Sequence, residues 1–84
     1  MSLRTERLIL RGKLAELKQQ KMQLATALDA NIKAAKAPLA ASAVTPLVDL
    51  DLATAHANLS EALEQQRRYR ELCRQIAELE KELA

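Results

Sequence analysis

The side chains with chemical potential crowd into one stretch. Residues 64–75, EQQRRYRELCRQ, hold the only tyrosine (Tyr69), the only cysteine (Cys73) and four arginines, Arg67, Arg68, Arg70 and Arg74. Two chemistries suggest themselves: a nucleophilic thiol, or a basic surface that contacts phosphates and stacks on bases.

A reactive thiol needs a base or a helix N-terminus beside it to form thiolate. The only histidine, His56, lies seventeen residues before Cys73, about 25 Å along a common helix, so only different copies of the chain could bring the two together. Cys73 is therefore expected as a small apolar filler beside a helix seam, and His56 as an exposed or seam-edge residue. Carboxylates recur at Asp49 and Asp51 and at Glu78, Glu80 and Glu82. Acid and base work needs two carboxyls in contrasting, enclosed environments, whereas spacing by two on a helix points side chains apart. These read as caps and solvated faces. Gly12 stands alone, so no phosphate-cradling loop exists. The sequence predicts no enzyme, no catalytic residue, no metal ligand set and no cofactor.

For nucleic acid, arginines contact phosphates and tyrosine stacks on bases. A face built from Lys18, Lys21, Arg67, Arg68 and Arg70 is the expected anion site, on the premise that two equal arms fold about residue 43 and set residue 68 opposite residue 18. Against it, Glu64 precedes Arg68 by four and Arg74 precedes Glu78 by four, spacings that balance charge along one helix. This is the alternative function.

The elements that would carry these residues follow from composition. Eighty-four residues with no Phe or Trp, one Gly, two Pro and one Cys leave no aromatic core and no internal disulfide. At this size stability must come from extended helix packing and oligomerisation, and the abundance of Ala, Leu, Glu, Gln, Lys and Arg favours helix throughout. The net charge of +2 implies no particular partner. No apolar run approaches the roughly 20 residues that span a bilayer, and the apolar faces lack aromatic anchors. A cytoplasmic location without membrane attachment is expected; the apolar stretch near Leu8 is too short for a secretion signal.

Pro38 and Pro46 bracket an uncharged segment and are expected to break the chain. The reading is one domain over 1–84: a helix over about 3–36, a linker over about 37–50 and a helix over about 51–83, capped at its start by Asp51 or Asp49. In the first arm Leu3, Leu10, Leu17, Leu24 and Asn31 alternate with Arg7, Leu14, Lys21, Leu28 and Ala35 at spacings of three and four, a heptad seam. Its polar members either set register or lie at the edge with their stems packed. In the second arm Leu52, Ala55, Leu59 and Ala62 run in one phase, and Tyr69, Leu72, Ile76, Leu79 and Leu83 in another, with a slip near Gln66.

Residues 1–42 carry a net charge of +5 and residues 43–84 of −3. Opposite charge on the two arms favours an antiparallel hairpin over parallel pairing of like arms. Off-seam apolar residues, among them Leu8, Ile9, Met22, Ala25, Ile32 and Leu63, ask for a further partner: a second copy giving a dimeric helical bundle, or another helical protein.

The expectation is thus an all-α antiparallel two-helix hairpin that self-associates as a structural or protein-interaction module. Its seam consists of Leu10, Leu14, Leu17, Leu24, Leu28, Leu59, Tyr69, Leu72, Ile76, Leu79 and Leu83. Domain swapping across the linker stays open, as does partial order in the absence of a different partner. In its two heptad arms around AVTPLVDLDLATAHANL and its ending ELCRQIAELEKELA, the chain resembles the short helical-hairpin proteins of bacteriophages and prophages. That resemblance implies an accessory assembly or regulatory protein without catalysis.

Overall fold

The computed structural model describes residues 3–40 and 44–84. Residues 41–43, in the middle of the expected linker, lie outside the described residues, as do residues 1–2. Helix α1 spans Leu3–Ala40 and helix α2 spans Leu52–Leu83, with a single 3-10 turn at Leu47–Asp49 before α2. Among the described residues there are two α-helices and no strand, an arrangement consistent with a helical hairpin. The molecule is a rod of 67 × 16 × 14 Å. Its radius of gyration of 19.3 Å far exceeds the roughly 12 Å of a compact domain of this length.

α1 outruns its expected end at residue 36, because Pro38 sits inside the helix. Proline removes the bond its N–H would give to the carbonyl four residues back. Here that loss falls in the last turn of the helix, where only one bond of the ladder is given up. Pro38 itself is half-buried and extends the seam spacing by one more step.

Asp51 caps α2, its Oδ1 accepting the Thr54 backbone N–H at 3.0 Å. This satisfies one of the free amides of the first turn. The alternative cap, Asp49, lies instead in the 3-10 turn, where its N–H donates to the Pro46 carbonyl at 2.9 Å.

The seam of α1 is Leu10, Leu14, Leu17, Lys21, Leu24, Leu28, Asn31, Ala35 and Pro38, spaced alternately by four and three, with Ala25 and Ile32 half-buried beside it. Arg7 and Leu3 are exposed. On α2 the seam falls on Ala55, Asn58, Ala62, Gln65, Tyr69, Leu72, Ile76, Leu79 and Leu83, spaced by three and four without interruption. The expected slip near Gln66 is therefore absent. Asn58 and Gln65 are the seam members between the two apolar runs, Gln66 is exposed, and Leu59 points away from the seam at 48% exposure. The slip arises only if apolar residues alone are counted.

The helices meet with Leu17 beside Leu79 and Leu24 beside Leu72, each pair lining a common groove. Across the seam, Asn31 Nδ2 donates to Gln65 Oε1 at 2.8 Å. Lys18 reaches Glu80 at 3.6 Å, so residue 18 does not stand opposite residue 68. α1 runs on through Pro38, and the pairs of Lys18 with Glu80 and Asn31 with Gln65 set the centre of the connection later in the chain than residue 43.

The buried core is Leu17, Ala35, Ala55, Ala62 and Ile76. Replacing Ile76 by Ala should destabilise the fold by about 2 kcal/mol or more, whereas Gln66→Ala should stay within about 0.5 kcal/mol of wild type. Urea unfolding followed by circular dichroism measures both, and equal effects would restore the slipped register.

Candidate interaction surfaces

The heptad register divides the rod into two flanks. At 100° per residue, the positions that follow the seam on one side of each helix are Arg11, Lys18, Ala25, Ile32 and Leu39 on α1, with Leu59, Gln66, Cys73 and Glu80 on α2. Grooves on that side bring Met22 and Ala25 beside Tyr69 and Ile76, and Leu28 and Ile32 beside Leu59 and Leu63. The other flank is polar, with Gln20 and Gln23 beside Gln65 and Arg68, and Lys13 beside Gln75 and Glu82.

The residues expected at the seam fall as follows. Leu17 and Ile76 are buried. Leu10, Leu14, Leu24 and Leu28 of α1 are half-buried, as are Tyr69, Leu72, Leu79 and Leu83 of α2, while Leu59 lines the apolar flank instead. Lys21 is half-buried with its ammonium 5.6 Å from the centre of the Tyr69 ring. Its stem packs in the seam and its charge rests on the one aromatic face, an arrangement worth about 0.5 to 1 kcal/mol at such a site.

The five residues of the expected anion face are not brought together. Lys18 pairs with Glu80, and Lys21 covers Tyr69. Arg67 donates to Glu64, the neighbour three residues back, while Arg68 lies in the polar-flank groove with Gln20 and Gln23. Arg70 is exposed three positions beyond Arg67. Among the described residues neither Arg68 nor Arg70 forms an ion pair, yet they diverge by two residue steps, about 200° around the helix. Glu64 thus balances Arg67 and not Arg68; the i,i+3 partner is the one within reach.

Arg74 is held most firmly. Its Nε donates to Glu71 at 3.0 Å and its Nη1 to Glu78 at 2.6 Å, while Gln75 Nε2 donates to Glu71 at 3.1 Å. Hydrogen bonds from Arg74, then from Gln75, pull the Glu71 carboxyl down to about 2, and the carboxylates raise Arg74 in turn. The Thr54 side chain and backbone likewise lower Asp51.

Cys73 is a free, half-buried thiol, and His56 is exposed. Among the described residues no group of three His, Cys, Asp or Glu side chains could hold a metal ion, and no helix is long and apolar enough to cross a membrane. The cross-seam Asn31–Gln65 bond was missed by counting apolar residues. The signal for it was present, since Gln65 falls on the three-four spacing carried through from Ala62 to Tyr69. No family model matches the chain, and neither does any curated protein or solved structure.

Two outcomes follow. Asn31→Ala strands the Gln65 amide in a half-buried seam and should cost about 1 kcal/mol, whereas replacing both Asn31 and Gln65 by Leu should recover the loss in thermal unfolding. Glu71 and Asp51 titrate below their ordinary values, so their contribution is complete above the unfolded values of 4.5 and 3.8. It is lost as pH falls, for Glu71 through about 2. Helicity at low salt should therefore decline below pH 4.5, and Glu71→Gln should flatten the decline; an unchanged acid profile in that variant would contradict the pairing.

Proposed function

We propose that the chain is a non-catalytic, cytoplasmic helical module, an antiparallel coiled-coil hairpin whose work is to associate with other helices and in the first place with itself. The observation that carries this reading is the imbalance of its apolar surface. Among the described residues only Leu17 and Ile76 of the larger apolar side chains are buried, while eleven remain exposed, among them Met22 at 68% and Leu63 at 50%. Most of the other seam leucines are covered only in part. A lone facing helix covers an alanine completely but shields a leucine on one side, and a stable bundle supplies the remaining cover from a third and fourth helix.

The descending partners of α1's ascending residues, from Lys18 with Glu80 to Asn31 with Gln65, support the antiparallel sense. The opposite net charges of the two halves of the chain support it as well. The likeness to phage-encoded helical hairpins is in keeping with an accessory role in assembly or regulation. Dispersal of Lys18, Lys21, Arg67, Arg68 and Arg70 favours this reading over a nucleic-acid-binding one.

Light scattering with and without mixed-sequence DNA and RNA, at two salt concentrations, tests the choice. The expected result is a mass above the 9.3 kDa of one chain, unchanged by nucleic acid. A fully helical species at 9.3 kDa over the accessible concentration range would overturn self-association. Salt-sensitive complexes with nucleic acid would transfer the assignment to the arginines.

A further inference from the structure

We infer that a second copy of this chain seats on the apolar flank bearing Met22, Ala25, Ile32, Leu59 and Leu63, leaving the flank of Gln20, Gln23 and Arg68 in water. The inference rests on the self-association reading and gives it a surface. Exposure, area and length point the same way.

The exposed apolar side chains are unevenly placed. Met22, Leu59 and Leu63 are about half exposed or more, and all three line grooves on the same flank. The opposite grooves share the seam leucines but are otherwise walled mainly by glutamines, Arg68, Lys13 and Glu82, whereas Lys18, Glu80 and Gln66 are the polar members of the apolar side. Large exposed apolar side chains gathered on one flank mark an interface.

The surface of the rod leaves room for a copy of the chain. The accessible surface is 6440 Å², whereas a compact monomer of 9.3 kDa exposes about 5,000 Å². The excess, on the order of 1,400 Å², is distributed over the whole rod, and a standard interface takes roughly 800 Å² from each partner.

The flank carries both paired and unpaired charge: Arg70, seven residues after Leu63, and Lys36, fourteen after Met22, share its face with no ion pair among the described residues. Lys18 is paired with Glu80 across it, and Lys33 with Asp29 at 2.8 Å near it. From Leu8 to Leu39 the apolar positions of α1 extend along about 46 Å, so an occupant must be a rod of similar length with the same repeat. A second copy satisfies length and repeat together, and a two-fold axis makes the surface self-complementary.

The experiment compares Met22→Glu and Leu63→Glu with Gln23→Glu by light scattering and circular dichroism. Wild type and Gln23→Glu should have twice the 9.3 kDa chain mass, and the two flank variants half of that with helicity retained. Should the flank variants unfold as they dissociate, p-benzoylphenylalanine placed at position 22 or at position 23 decides by photo-crosslinking: a chain-to-chain product from 22 alone supports the surface. Dissociation by Gln23→Glu alone, crosslinking from 23 alone, or flank variants that stay dimeric, as a swapped dimer would, overturns the surface while self-association stands. A wild-type chain that is monomeric throughout overturns both.

Discussion

Two helices that touch along one line bury small side chains fully and large ones only in part. The deepest residue here is Ala35, at 1% exposure, followed by Ala55 at 3%, while Leu17 and Ile76 retain more than either. An alanine on the seam is short enough to be covered by its immediate surroundings. A leucine at the same position reaches past the contact line and presents one side to solvent. Everything else about the molecule answers to this constraint: its rod shape, its partly covered seam and the apolar flank that a further layer of helix would complete.

Within that seam, polar residues hold places as regular as the apolar ones. Asn31 and Gln65 spend no core volume on apolar packing, yet their side chains satisfy each other across the helices. Any shift of one helix along the other would separate them in a half-buried setting, where an unpaired amide costs free energy. A single polar layer of this kind specifies register at some expense in stability. Lys21 over Tyr69 solves a related problem differently, with an aliphatic stem inside and a charge settled on a ring.

The arginines illustrate how little linear proximity means on a helix. Residues 67, 68 and 70 are neighbours in sequence but turn 100° at each step, and each meets different company. Arg74, the member of the cluster least suggestive of a binding site, makes the densest set of bonds, with Glu71 and Glu78. Exposed pairs such as these contribute modestly to stability; their effect here is to occupy charge that would otherwise be available to an anion.

Helical class, two arms, the Asp51 cap and most seam positions were legible in the residues themselves, because they depend on local propensity and on a repeat that any helix must express. The reach of α1 through Pro38 was not, since proline's penalty depends on where in the helix the lost bond falls. Nor was the continuous register of α2, which runs through Asn58 and Gln65 and becomes visible only when their partners across the seam are known. The sequence by itself determined that the chain forms long amphipathic helices with more apolar surface than one pair can cover. Only the tertiary structure decided which residues face one another and which flank stays apolar, because those follow from the relative position of the two helices, and no local preference sets that.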